Sequence, residues 1–183
     1  MKNPKRESFK LTKLKIPSNG GVIVDFKLIE VLGEESYESS QTQKSTKEPH
    51  PDLVDLLKKM VPMVGQIFGL TMINAVVGKK EFNADAVQID TISKYVDQMN
   101  EKIRVGGVSL SGSEDKKGVA IAFGYRVDNN QVVGISTHKI PLSGSERGFE
   151  EELEELVKEI EIETYNFIYE GKVYNPEMFE PAE

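Results

Sequence analysis

The sequence contains no cysteine. This absence excludes disulfide bridges, thiolate metal sites and a catalytic thiol, and it fits a reducing compartment. Long apolar runs are also missing. No stretch reaches the roughly eighteen uncharged apolar residues that a membrane-spanning helix needs, and the basic start of the chain lacks the apolar segment of a signal peptide. We therefore expect neither membrane insertion nor secretion, which leaves the cytoplasm as the expected location.

Catalytic signals are scarce as well. The histidines are His50, which lies between two prolines, and His138, which lies in a predicted strand, and neither has an evident partner for nucleophilic catalysis. The metalloprotease motif HExxH, the P-loop and the nucleophile elbow are absent. The glycine-rich stretch 106–112 lies within a predicted strand and has no helix after it, so it does not predict a phosphate loop. We expect no enzyme, no catalytic residue, no metal site and no cofactor.

Charge is distributed unevenly along the chain. The net charge is -7, yet basic residues crowd the first fifteen positions while the last quarter carries a run of glutamates. A protein that is basic throughout would point directly to nucleic acid, whereas this distribution predicts a local basic patch on an acidic body. The alternative is a charged surface that serves only solubility.

The first half of the chain has the pattern of a hairpin, an edge strand and a helix. Residues 9–16 and the segment that begins at Val22 alternate as strands, and the sequence SNGG at 18–21 is typical of a tight turn. Residues 37–46 are polar and rich in Ser and Thr, which predicts either an exposed edge strand or a disordered loop. A helix begins near the HPD sequence that follows, and Pro62 should kink or divide it.

The second half repeats this pattern. Residues 103–111, 118–127 and 131–140 alternate as strands that are joined by short polar turns. A long helix follows, with Ser145 as its cap and Gly171 at its end. Six glutamates are expected on the solvated side of this helix, opposite its apolar stripe: Glu150, Glu151, Glu152, Glu154, Glu155 and Glu159.

These elements predict one α+β domain over residues 1–183. It consists of two βββα halves, residues 8–70 and 103–171, whose antiparallel sheets are each covered by a helix. A helical insertion at 71–102 separates the halves, and an acidic tail at 172–183 ends the chain.

Two features indicate binding. Basic residues concentrate on predicted strands with tyrosine interleaved, a composition suited to following a phosphate backbone and stacking bases. The candidate nucleic-acid-binding residues are Lys10, Lys13, Lys15, Lys27, Tyr37, Lys44, Arg104, Arg126 and Lys139. The alternative is lysine scattered over a sheet surface. The second feature is the tail, whose apolar pair Met178 and Phe179 would dock into a partner protein, unless the tail is simply frayed.

Parts of the sequence resemble a family of small, uncharacterised bacteriophage proteins. The likeness rests on HPDL at 50–53, VSLSG at 108–112, GVAI at 118–121 and YNFIYEGK at 165–172, and it covers most of the chain outside the predicted insertion. This resemblance implies a phage or prophage origin, a location in the cytoplasm of the bacterial host, and a role in DNA replication or recombination.

The predicted architecture is also similar to the Whirly and PC4-like folds, which bind single-stranded nucleic acid. Those folds have four strands in each half, whereas this sequence predicts three. The acidic tail resembles in kind the partner-docking tails of bacterial single-strand-binding proteins, although its residues do not match their motif. This second resemblance implies a single-stranded nucleic acid as ligand.

The leading hypothesis is a phage accessory protein that binds single-stranded nucleic acid in replication or recombination, with a replication protein of the host or the phage as a further partner. The alternative is a protein-binding inhibitor or counter-defence factor that acts through its acidic helix. A small-ligand pocket between the two halves is a third hypothesis, without specific support in the sequence. Exposed edge strands also predict a homo-oligomer.

Overall fold

The structure is a computed structural model that describes residues 3–33, 35–68, 101–113, 116–127, 130–142 and 149–174. Within these residues, one antiparallel sheet of seven strands carries helices on one of its faces. The predicted α+β class is therefore confirmed. No helix in the described part of the chain is long and apolar enough to cross a bilayer.

The first three strands form a meander. Strand β1 spans Phe9–Lys15, β2 spans Val22–Leu32 and β3 spans Glu35–Ser45. The turn between β1 and β2 is tight because Gly20 and Gly21 adopt φ values of +89° and +77°, which residues with a Cβ atom rarely adopt. Because β3 pairs with β2 along its whole length and is exposed, the predicted edge strand is confirmed and the disordered loop is wrong.

A β-bulge in β1 determines which of its side chains face the core. Leu11 is buried, the pairing with β2 then skips Thr12, and Leu14 is the next buried residue. The extra residue shifts the inward–outward alternation by one position. As a result, Lys13 and Lys15 point away from the core.

Two short helices follow the first meander. Helix α1 spans Pro51–Lys59, and helix α2 spans Val61–Ile67. His50 caps α1, since its Nδ1 accepts a hydrogen bond from the backbone N–H of Asp52 at 3.3 Å. Pro62 lies in the first turn of α2, where its missing N–H is tolerated, and the helix is interrupted just before it. The predicted helix start and the predicted division are both confirmed.

The second meander contains the remaining strands. They are β4 at Ile103–Ser111, β5 at Gly118–Arg126, β6 at Val132–Ser136 and β7 at Ile140–Pro141. β5 pairs with β4 on one side and with both β6 and β7 on the other. The predicted strands at 103–111 and 118–127 are thus confirmed to within a residue.

The prediction of a single strand at 131–140 is wrong. Three residues lie between β6 and β7 where β5 has only two, so the strand bulges at this point. Thr137 is buried in the bulge, and its hydroxyl oxygen accepts a hydrogen bond from the N–H of Ile121 at 2.9 Å. The extra residue turns Ile140 into the core, and it leaves His138 in the bulge rather than in a strand.

The last helix, α3, spans Glu150–Tyr165 and continues as a π-helical turn, Asn166–Glu170, up to Gly171, which has φ +70°. Its predicted apolar stripe is confirmed, since the side chains along it are buried or half-buried. The prediction that Glu150 lies on the solvated side of the helix is wrong, because this residue is buried and only 8% exposed. The predicted cap, Ser145, lies outside the described residues.

The strands follow the order β3-β2-β1-β4-β5-β6 within one sheet, and β7 extends the pairing of β5. The predicted layout, in which each half has its own sheet and its own helix, is not confirmed. β1 pairs with β4, and this contact joins the two meanders into a continuous sheet. The helices also cross over, because α1 and α2 pack on β4 of the second meander while α3 packs on β1 of the first.

The described helices cover less than the full width of the sheet. α1 and α3 pack side by side, and each is about 10 Å wide. Together they cover roughly four strands, since neighbouring strands are about 4.8 Å apart. The main path through the sheet has six strands. The core therefore lies over the central strands. β3 at one edge is exposed, and β6 at the other edge is largely exposed.

Two predicted regions lie mainly outside the described residues. These are the helical insertion at 71–102, of which only positions 101–102 are described, and the tail at 172–183, of which only positions 172–174 are described. Met178 and Phe179 belong to the part of the tail outside this range, so their role as a docking pair stays a prediction.

Lys172 connects the two helical segments electrostatically. Its Nζ lies 2.7 Å from Oδ2 of Asp52 at the start of α1 and 2.6 Å from Oε2 of Glu163 near the end of α3. Hydrogen bonds to these two carboxylates raise the pKa of Lys172, and the bond to Lys172 lowers the pKa of Asp52. Asp52 is largely exposed, so solvent reduces what the pair contributes to stability.

We expect Lys172→Met to lower the free energy of unfolding by about 1 kcal/mol near neutral pH, the upper end for a partly exposed ion pair. A lowered Asp52 pKa stabilises the fold above the ordinary carboxyl value of about 4, and this contribution disappears as the pH falls through the lowered pKa. The stability that corresponds to the raised pKa of Lys172 is fully present below the ordinary lysine value of about 10, and it is lost as the pH rises through the raised value. Urea unfolding at several pH values measures both effects, and a deficit that stayed constant in acid would contradict them.

Candidate nucleic-acid interface

The eight basic residues selected from the sequence lie on the sheet surface opposite the helices. We call this surface the basic face. Its cations are Lys10, Lys13, Lys15, Lys27, Lys44, Arg104, Arg126 and Lys139. Since one continuous sheet carries them, their relative positions are determined by strand pairing and not by the packing of separate domains.

Strand pairing places the cations of the first meander on this face. Residues that are directly opposite in antiparallel strands point to the same side. Lys10 pairs with Lys27, and Lys15 pairs with Ile23, which in turn pairs with Lys44. The side chains that alternate with them on β1 and on the first part of β2 are buried under the helices.

The second meander adds two arginines. Arg104 on β4 pairs with Gly124 on β5, and Gly124 pairs with Gly134 on β6. Arg126 lies two residues beyond Gly124 and therefore points to the same side. Both arginines are exposed, and they stand at the end of the face where β1 ends at Lys15.

Lys139 lies at the opposite end of the basic face, in the bulge between β6 and β7. Its aliphatic stem covers Gly118, where a Cβ atom would come within 2.5 Å of the lysine Cε. Its ammonium group donates a hydrogen bond to the carbonyl of Lys116 at 2.9 Å. Lys139 is thus held against the backbone, so it is less available to a ligand than the arginines.

The structure does not bring Tyr37 to the basic face. Tyr37 pairs with Glu30, which lies on the same side of β2 as the buried Leu28, and its hydroxyl donates a hydrogen bond to Glu35. The other aromatic side chains of the described strands also project to the helix side: Phe9, Phe26, Phe123 and Tyr125. The described part of the basic face therefore offers charge but no aromatic ring for base stacking.

The basic face contains a groove of about 710 Å³ where β1, β4, β5 and β6 meet. Four cations stand around it, with Glu101 as a carboxylate on its rim. The cations are Lys15, Lys102, Arg104 and Arg126, and the small-residue floor consists of Gly106, Ala122, Gly124, Gly134 and Ser136. Val132 also lines the groove, and its Cγ1 would lie 2.8 Å from a Cβ atom on Gly124. A ligand can therefore approach the main chain at the other small residues, while the cations reach it from the sides.

Carboxylates on the basic face concentrate on the side of the first meander. Lys27 forms an ion pair with Glu38 at 2.5 Å, and Asp25 is directly opposite Lys13 while it accepts a hydrogen bond from Thr42 at 2.8 Å. Among the described residues of β4, β5 and β6, no carboxylate points to this side. Most of the cations at the groove therefore have fewer carboxylates beside them than the cations of the first meander.

A carboxylate of the helix layer lies near Lys10. Glu161 on α3 accepts a hydrogen bond from the backbone N–H of Leu11 at the bulge of β1. Burial raises the pKa of the Glu161 carboxyl, and the nearby charges of Lys10 and Lys117 act in the opposite direction.

Comparison of the chain with family models, with curated proteins and with solved structures gave no match. The resemblances to bacteriophage proteins and to the Whirly and PC4-like folds therefore stay predictions. In the described ranges, no group of three or more His, Asp or Glu side chains is arranged to hold a metal ion. The expectation that the protein is not an enzyme is tested by none of these findings and also stays a prediction.

Sequence reasoning missed two components of the groove. Lys102 directly precedes β4 and lines the groove, but it lay inside the predicted insertion. In the sequence of β5, the small-residue floor corresponds to the residues that alternate with the core residues, such as Ala122 and Gly124. A run of small residues opposite a core face is the signal that could have indicated it.

Proposed function

We propose that the protein binds single-stranded nucleic acid through the basic face. The observation that carries this proposal is the gathering of all eight predicted basic residues on the surface of a single sheet that lies opposite the described helices. A chain with net charge -7 has no general affinity for polyanions, so a patch of one sign on an otherwise acidic protein favours a defined binding surface.

The dimensions of the groove favour a single strand over a duplex. Its volume of about 710 Å³ is that of a small-ligand site and accommodates a short portion of an extended backbone. A duplex is wider and stiffer than a single strand, so we expect it to contact the rim more than the small-residue floor. Because no aromatic ring lies on this face in the described strands, we expect contacts to phosphate and sugar with little base specificity.

The resemblance to bacteriophage proteins supports a more specific role. Under this proposal, the protein acts as a phage accessory factor in DNA replication or recombination, in the cytoplasm of the host. A replication protein of the host or the phage would be a further partner, and Met178 and Phe179 of the acidic tail would contact it.

The proposal is tested by fluorescence anisotropy of labelled single- and double-stranded oligonucleotides, at low and at near-physiological salt. We expect tighter binding of the single strand and a log–log salt dependence of about −0.7 for each phosphate that is contacted. Binding with no salt dependence would argue against the basic face, and no binding even at low salt would exclude the proposed function.

A second candidate function belongs to the opposite side of the molecule. The solvent face of α3 carries exposed glutamates at 151, 152, 155 and 159. A second groove, of about 460 Å³, lies between α1 and α3 and is lined by Asp52, Asp55, Glu159, Glu163 and Lys59. Lys172 pairs with two of these carboxylates, Asp52 and Glu163, which leaves Asp55 and Glu159. This acidic surface favours a protein-binding inhibitor or counter-defence factor that contacts a basic site on a host protein.

The two candidates give different results in a pull-down from host lysate. A nucleic-acid binder should lose its co-purifying proteins after nuclease treatment, because they are tethered through the nucleic acid. An inhibitor should retain one host protein under the same conditions, and reversing the α3 glutamates to lysine should release it.

A further inference from the structure

Strand β3 presents a regular edge that no other described element covers. It pairs with β2 over all eleven residues of Glu35–Ser45 without a bulge, and it contains no proline. Every side chain from Glu35 to Lys44 is exposed. Proteins normally protect an edge by making it short, bulged, proline-containing or covered, because its free N–H and C=O groups pair with any strand that approaches. Among the described residues, the edge of β3 has none of these four protections. Charged side chains are a further protection that it does have, and their order along the strand determines which second strand the edge can accept.

The charges along this edge are arranged symmetrically about Gln41. Glu38 precedes Gln41 by three residues and Glu35 by six, while Lys44 follows it by three and Lys47 by six. Lys47 lies two residues past the end of β3. The segment is therefore acidic in its first half and basic in its second half, at matching distances from the centre.

We propose that β3 pairs antiparallel with β3 of a second copy of this chain, about a twofold axis through Gln41. In this register Glu38 of each chain faces Lys44 of the other, and Glu35 faces Lys47. Directly opposite residues of antiparallel strands point to the same side, so the Glu38–Lys44 pairs lie on the basic face. The Glu35–Lys47 pairs form where the pairing continues two residues past the end of β3. Opposite charges in these positions stabilise the pairing, and like charges would destabilise it.

The charge pattern selects this arrangement over its alternatives. A slip by two residues in either direction places Glu38 opposite Thr42 or Thr46 and removes the charge matches. A parallel pairing in register would place each glutamate and each lysine opposite its own copy. Main-chain hydrogen bonds supply the affinity of such a strand pairing, while the charges determine partner and register.

The pairing would extend the basic face. A twofold axis perpendicular to the sheet keeps the helices of both copies on one side and the two basic faces on the other. The grooves would then lie at opposite ends of one continuous sheet. This inference rests on the edge of β3 alone, so it stands whether or not the basic face binds nucleic acid.

The test exchanges charges across the predicted interface and measures mass by sedimentation equilibrium at low salt. The wild-type chain should approach twice its monomer mass of 20.5 kDa as its concentration rises. The double variants Glu35→Lys/Glu38→Lys and Lys44→Glu/Lys47→Glu should each dissociate about tenfold or more readily, because like charges then face each other. Mixed together, the two variants should form a heterodimer, and the fourfold exchange should restore the homodimer.

Folding does not limit this experiment, because the four side chains are exposed and circular dichroism verifies each variant. The mixing result requires two folded proteins, so it separates a lost interface from a lost fold. A wild-type chain that stays monomeric at its highest soluble concentration would overturn the proposal. It would also fail if the double variants dimerised as well as the wild type, since the interface would then lie elsewhere.

Discussion

The triple variant Lys13→Glu, Lys15→Glu, Arg104→Glu is expected to lose about a hundredfold or more of its affinity for a single-stranded oligonucleotide at low salt, because each position loses a phosphate contact and gains a repulsive charge. These residues lie on the adjacent strands β1 and β4, and two of them line the groove. The log–log salt slope should become shallower by about 2, since about 0.7 of a counterion is released at each contact. Anisotropy titrations at several salt concentrations measure both quantities.

A matched control separates the local effect from net charge. Lys58, Lys59 and Lys158 are exposed on the helix side of the molecule, and reversing them to glutamate changes the net charge by the same amount. We expect this control to bind with nearly wild-type affinity. If both triple variants weakened binding equally, the effect would come from the overall charge, and the basic face would not be the binding surface.

The second large effect concerns the core that holds β1 in place. Phe9 is 1% exposed, and its ring lies 4.9 Å from that of Phe26 and 5.7 Å from that of Tyr165, measured between centroids. The hydroxyl of Tyr165 donates a hydrogen bond to the carbonyl of Pro4, which ties the preceding segment to α3. Phe9→Ala should lower the free energy of unfolding by about 4 kcal/mol, because a buried ring is replaced by a cavity among these aromatic side chains.

Urea unfolding measures this loss as a lower midpoint with an unchanged m-value. Tyr37→Ala is the control, since its ring is 52% exposed on an edge strand and its removal should change stability by about 0.5 kcal/mol or less.

The same control tests the sequence-based assignment of Tyr37 to the binding surface. Because Tyr37 lies on the opposite side of the sheet from the cations, we expect its removal to leave nucleic-acid affinity unchanged. A loss of less than about 1 kcal/mol in Phe9→Ala would show that this aromatic cluster does not anchor β1.

The two proposals use different parts of one sheet. The helices occupy one face over the central strands, which leaves the opposite face for the cations and leaves the edge strand β3 for a second copy. Dimer formation would place two grooves on one surface, so a longer oligonucleotide should bind more tightly than a short one if both proposals hold. If the Glu35→Lys/Glu38→Lys variant, which keeps every cation of the basic face, were monomeric, this length dependence should disappear while binding of a short strand persists.

Much of the local structure followed from the sequence alone. Alternation of apolar residues predicted the strands, glycine pairs predicted the first turn, and Pro62 predicted the divided helix, because each of these signals acts through the nearest neighbours in the chain. The sequence also identified the basic residues that the sheet brings together. It missed the break in the strand at 131–140, since that bulge depends on how Thr137 pairs with β5.

Tertiary structure alone decided that the two meanders form one sheet, because the pairing of β1 with β4 joins segments that are far apart in sequence, and no local pattern encodes it. That pairing turns scattered lysines and arginines into one surface, creates the groove, and separates Tyr37 from the cations. The sequence by itself determined which residues can carry charge and which must be buried. Which charges share a face depended on the bulges of β1 and β4, since one extra residue in a strand sends every later side chain to the other side of the sheet.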